Sequence, residues 1–109
     1  LLLRVHPSGP VCHTGSRSCF APALWRTITE RAEERPEGSY VVSLLDAGVP
    51  RCAQKVGEEA VETSVAAVTG DRDALVAEAA DLVFHLYVLL AASGVDVSEV
   101  DDELARRAK

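Results

Sequence analysis

The sequence predicts an all-α domain of four to five helices preceded by a short non-helical tail. Three observations carry that prediction. Apolar residues recur at helical spacing from residue 22 onward, Gly or Pro interrupts the pattern at 36, 38, 48, 50, 70 and 94, and residues suited to cap helices follow several of these breaks. With 109 residues, 48% of them apolar and 26% charged, the chain has enough material for one core and too little for two.

Taken in order, Leu1–Val5 reads as an apolar strand, and the residues up to 21 read as a loop rich in Gly, Ser, Pro and Cys. Pro22 suits a first helical position, and Leu24, Ile28 and Ala32 follow at four-residue spacing until Pro36-Glu37-Gly38 stops the helix. Ser39 caps a short second helix carrying Val41, Leu44 and Leu45, with Gly48 as its left-handed terminator. A third helix is expected from about Pro50 to Thr69, with Gly70 ending it. Asp71 or Asp73 then caps a fourth that runs to about Ala92. Asp96 and Glu99 have capping-box spacing for a fifth, which closes near Lys109 in a basic turn. Ala74–Ala92 is apolar on nearly every side and is expected to be a buried helix, and Trp25 and Tyr40 are expected to pack in the core.

The charge balance narrows the function classes. The net charge is −6, but Leu1–Thr29 hold three Arg and no acid, so the remainder sets eight basic residues against 17 acidic ones, a balance of −9. An acidic surface disfavours nucleic acid and anionic membranes as partners. Glu78 and Asp81 would each cost about 2.5 to 3.5 kcal/mol at the centre of a membrane span, so the long apolar stretch reads as part of a soluble protein. Three Cys without a leader-like segment fit a reducing cytoplasm. The chain contains no Met, which suggests a fragment or a processed product.

The turn at Gly70 is too short for anything but an antiparallel pair, and counting from it places the acids. Glu62 and Glu78 each lie eight residues from Gly70, and both therefore stand about 12 Å up the hairpin. Glu59 and Asp81 match again at eleven residues. The pairs Glu59/Glu62 and Glu78/Asp81 have i,i+3 spacing, and Glu58 is i,i+4 from Glu62, so four or five carboxylates are expected at one level. For an arbitrary pair of Glu residues, a solvated face laced with ion pairs is the ordinary reading. Here only Lys55 and Arg72 are near in sequence as cations, and Glu78 and Asp81 sit in an apolar context. Burying such a cluster demands a positive charge, and a hard dication held by carboxylates alone points to Mg²⁺ or Mn²⁺. The chemistry that follows is hydrolysis or transfer at a phosphate group.

The segment Lys55-Val56-Gly57-Glu58-Glu59-Ala60-Val61-Glu62, followed by Glu78-Ala79-Ala80-Asp81-Leu82-Val83-Phe84-His85, closely resembles the signature of phosphoribosyl-ATP pyrophosphohydrolase, and the resemblance extends over about residues 22–107. It implies a homodimeric, all-α nucleotide pyrophosphohydrolase that splits phosphoribosyl-ATP into phosphoribosyl-AMP and pyrophosphate in histidine biosynthesis. It further implies Glu59, Glu62, Glu78 and Asp81 as metal ligands. Glu58 is then a further ligand or the base on the attacking water, although which acid acts as base stays open, and Glu59 and Lys55 are the other candidates for a catalytic role. Lys55, Arg72 and His85 are the candidate substrate contacts, and His85, i,i+4 from Asp81, is alternatively a donor that orients Asp81; each also has a plain reading, as a helix-surface lysine, a partner for Asp73 or the helix end, or a core histidine.

Gly9–Phe20 resembles the C-terminal end of phosphoribosyl-AMP cyclohydrolase, in which cysteines matching Cys12 and Cys19 ligate zinc. Residues 1–21 are thus expected to be a remnant ahead of a pyrophosphohydrolase domain at 22–109. The third cysteine of that family is missing, so reduced thiols without zinc are expected, His13 notwithstanding. Cys52 reads as a small core residue. Competing readings are a dNTP pyrophosphatase on the same scaffold, a silent dimerisation module for a fused cyclohydrolase, and a zinc adaptor built on Cys12 and Cys19.

Overall fold

A computed structural model of the chain describes residues 20–108, and the elements there are five helices: α1 (Phe20–Glu34), α2 (Tyr40–Ala47), α3 (Val49–Thr69), α4 (Arg72–Ala92) and α5 (Val97–Arg107). The expected strand Leu1–Val5 and the residues Cys12, His13 and Cys19 lie outside the described residues. The four-to-five-helix expectation holds, with boundaries shifted by a few residues. α1 starts two residues before Pro22, which then falls within the first turn, where no intrahelical N–H is lost.

The α3–α4 hairpin is the spine of the domain. Gly70, at φ 79°, closes α3 by sending its N–H to the Ala67 carbonyl while the N–H of Asp71 reaches the Ala66 carbonyl, each at 3.2 Å. That left-handed turn suits glycine, and it absorbs the carbonyls that the helix end leaves open. Asp71 immediately caps α4 by accepting the N–H of Ala74 at 3.0 Å. Two residues thus reverse the chain and set the register of the acids. Asp96 and Glu99 form the expected capping box on α5, which contributes no buried residue.

The core lies at the end of the hairpin away from Gly70. There Ile28 of α1, Val41 and Leu44 of α2, Cys52 of α3 and Val88 of α4 meet, with Leu24, Phe84 and Tyr87 packed around them. Ile28 and Val88 are fully buried, each worth about 1.5 to 3 kcal/mol of apolar transfer. Cys52 is the core residue its context implied: its thiol donates to the Leu44 carbonyl at 3.3 Å, and burial pushes its pKa up.

Two packing expectations are corrected. α4 is not buried all round: Val76, Val83 and Leu86 are exposed, and only 11% of its apolar stretch is buried within the chain. Among the described residues α1 and α2 meet α4 at the end of the hairpin away from Gly70, and α3 is its main neighbour over the rest of its length. Among the described residues α4 is also the one helix long and apolar enough to cross a membrane by length and composition. Tyr40 is not a core residue either; it is half exposed at the start of α2, whereas Trp25 is partly buried edge-on to Tyr87 with ring centres 5.9 Å apart.

Candidate metal and phosphate site

The hairpin brings three of the five predicted acids into one cluster. Glu59 from α3 and Glu78 and Asp81 from α4 place carboxylate oxygens within 4.8 Å of one another. Their environments form a gradient from buried Glu59 through half-buried Glu78 to exposed Asp81. The expectation that Asp81 is buried is therefore corrected, because its side of α4 lies on the uncovered stretch of the hairpin. Glu62 is exposed on α3 but leans against Glu78. Glu58 stands aside, held by Gln54 Nε2 at 2.9 Å and by Lys55 Nζ at 3.4 Å. Successive helical residues point about 100° apart, so Glu58 and Glu59 do not share a face.

The electrostatics of the cluster are unbalanced. Desolvation pushes the Glu78 carboxyl above the usual carboxylate range, and contact with Glu62 and the charges of Glu62, Glu59 and Asp81 push it the same way. Lys55 supplies the nearby cation. Its Nζ lies 3.4 Å from Glu58 Oε1 and 3.4 Å from Glu59 Oε2. Burial works against its charge, but the bonds to Glu58 and Glu59 outweigh it and its pKa is raised. Glu58 is correspondingly lowered, first by Gln54 and then by Lys55.

Lys55 satisfies one side of Glu59 only. Glu59 Oε1 and Glu78 Oε1 are both cut off from solvent and have no hydrogen-bond partner among the described residues. Unpartnered buried acceptors are costly, more so when they carry charge. Carboxylate oxygens around Mg²⁺ sit at about 2.0 to 2.1 Å from the ion, hence roughly 3 to 4 Å from one another, close to the spacing found here. The donor set therefore fits a hard dication. A groove of about 320 Å³ runs from Glu62 and Glu78 past Ala66 and Ala74 to Asp71 at the turn. Exposed Arg72 stands at the start of α4, about 9 Å along the axis from Glu78.

His85 is buried, and both of its ring nitrogens are engaged within the chain. Nδ1 lies 2.8 Å from the Asp81 backbone carbonyl and Nε2 lies 2.9 Å from the Tyr40 hydroxyl. It thus meets Asp81 through the backbone and not through the carboxylate. Sequence spacing exposes the Asp81–His85 relation because it is i,i+4; it carries no signal for Tyr40, 45 residues away.

Residues 21–108 match the family model described as phosphoribosyl-ATP pyrophosphohydrolase. Relatives named histidine biosynthesis bifunctional protein HisIE include one from Bacteroides thetaiotaomicron, 44% identical over 98% of this chain and 58% of its own length. One from Staphylococcus aureus is 45% identical over 98% of this chain and 54% of its own. A third, from Xanthomonas axonopodis pv. citri, is 48% identical over 91% and 52%. The chain spans a little over half the length of these relatives. With the family model covering α1 to α5, the acid-bearing α3–α4 hairpin included, the chain belongs to the phosphoribosyl-ATP pyrophosphohydrolase family.

Proposed function

We propose that this chain hydrolyses phosphoribosyl-ATP to phosphoribosyl-AMP and pyrophosphate, with Mg²⁺ as the cofactor and Mn²⁺ able to replace it. The observation that carries the reading is the pair of orphaned carboxylate oxygens on Glu59 and Glu78 beside Asp81, on helices that match the pyrophosphohydrolase family. Glu59, Glu62, Glu78 and Asp81 hold the metal. When bound, it neutralises charge on the phosphates and on the pyrophosphate leaving group and lowers the pKa of the attacking water. Lys55 uses two of its three N–H donors on Glu58 and Glu59 and offers the third to a phosphate oxygen. Arg72 meets the phosphates from the turn. Glu58, outside the three-acid cluster and already ionised by its neighbours, is the candidate base for the water proton, because a carboxylate free of the metal keeps its lone pairs.

The working unit is a homodimer. Val61, Val65 and Val68 line one face of α3 at i, i+4 and i+7, and Val76 and Val83 line one face of α4 at i and i+7; all five are exposed. Apolar stripes of this kind on adjacent helices fit a second copy of the chain. A membrane suits them less, given the acids halfway along the hairpin. The setting is a cytoplasmic enzyme without nucleic-acid partners. The relatives' alignment covers 98% of the chain and so reaches ahead of residue 21, which supports residues 1–21 as the end of a cyclohydrolase unit.

The test is pyrophosphate release from phosphoribosyl-ATP by the purified chain, with Mg²⁺ and then with excess chelator. Mg²⁺-dependent release is expected. Preference for dNTPs would move the substrate, and a folded, inactive chain would make it a silent module.

A further inference from the structure

We infer that Tyr40 and His85 are positioning residues for the acidic site, tying α2 to the turn of α4 that presents Asp81. The inference rests on the metal-site reading above. A backbone carbonyl only accepts, so the 2.8 Å contact between His85 Nδ1 and the Asp81 oxygen places the hydrogen on Nδ1. A neutral ring in that tautomer carries its lone pair on Nε2, and the Tyr40 hydroxyl donates to it at 2.9 Å. Tyr40 itself is held in place. It follows Ser39, which caps α2 by accepting the N–H of Val42 at 3.3 Å, and its ring stacks on Phe84 at 6.0 Å and meets His85 nearly edge-on at 5.7 Å.

The link bears on the ligand that most needs it. Glu59 is walled in by the hairpin and held by Lys55, whereas Asp81 is exposed. The turn beneath it is what sets its position, and His85 grips that turn from inside the core. His85 is 6% exposed, while Tyr40 is 50% exposed. A half-exposed tyrosine thus holds a buried histidine in one tautomer and one orientation. Hydrogen bonds to ligating groups themselves change metal affinity or activity by about 10- to 100-fold, and a bond to the ligand's backbone, one step removed, is expected to act at the lower end of that range.

The experiment is a Mn²⁺ titration of the purified chain followed by the loss of free-ion signal in electron paramagnetic resonance, together with kcat and KM for pyrophosphate release and a thermal melt. Tyr40→Phe removes only the hydroxyl. It is expected to weaken Mn²⁺ binding about tenfold and to lower kcat, with the nucleotide KM little changed. His85→Asn places an amide N–H where Nδ1–H stood and is expected to bind Mn²⁺ more tightly than His85→Leu, even if the two melt alike. Wild-type Mn²⁺ affinity and kcat in Tyr40→Phe, or equal affinity in His85→Asn and His85→Leu, would overturn the positioning role and leave the metal site standing. Absence of Mn²⁺ binding by the wild-type chain would overturn the metal reading and this inference with it.

Discussion

Asp81, Glu78 and Glu59 form a cluster in which the charges of Glu59 and Asp81 bear on Glu78. Replacing exposed Asp81 by Ala costs the fold little and removes one oxygen donor, so turnover is expected to fall by at least about a hundredfold with an unchanged melting temperature, as steady-state kinetics and a melt would show. Glu78→Gln, by contrast, is expected to change stability. Glu78 has a raised pKa in the fold, so in the metal-free chain it favours folding while protonated, below the ordinary glutamate value of about 4.3, and that contribution is lost as pH rises through the folded value. In chelator at neutral pH the Gln variant is therefore expected to melt higher than the wild type. The gap should close in acid and reverse once Mg²⁺ is added.

At the scale of the element, α3 carries a feature that its own chain does not use. Gly57 sits inside the helix, exposed, and a Cβ built there meets nothing within 4 Å. A helix-interior glycine costs roughly 0.5 to 1 kcal/mol relative to alanine. Gly57→Ala is expected to stabilise the isolated fold by about that amount in denaturant titration. A stabilised variant that has also lost turnover would mean that the bare backbone at Gly57 serves the bound nucleotide or the second copy. The hairpin turn differs in kind, since Gly70 and Asp71 there satisfy helix ends directly. Gly70 was legible in the sequence as the stop and Asp71 as one of two candidate caps beside Asp73, because capping chemistry is local.

For the molecule as a whole, the core is built at one end of the hairpin while the apolar stripes of α3 and α4 remain uncovered over the rest. Val83→Lys puts a charge on the α4 stripe at a 42% exposed position, where a monomer tolerates it. The variant is expected to stay folded by circular dichroism and to shift from dimer to monomer in sedimentation equilibrium. A wild-type chain that sediments as a monomer would refute the homodimer.

Although the choice of Asp71 over Asp73 as the α4 cap came with the structure, the sequence by itself determined the helices, most of their caps, the tight turn near Gly70 and the matched heights of Glu59 with Asp81 and of Glu62 with Glu78. All of these follow from the 1.5 Å helical rise and from residues that act within a few positions of themselves. It also carried the family, because the acids and their spacing are linear features. What only the tertiary structure decided is which sides of those helices have neighbours. Periodicity shows α4 apolar all round; it took the placement of α1 and α2 at one end to leave Asp81 and Val83 in the open and Glu59 enclosed. The same holds for Glu58, turned aside toward Gln54 and Lys55, and for Tyr40, whose hydroxyl meets His85 across 45 residues of chain. Spacing along one helix fixes angles and heights, but burial and long-range hydrogen bonds depend on what packs against it.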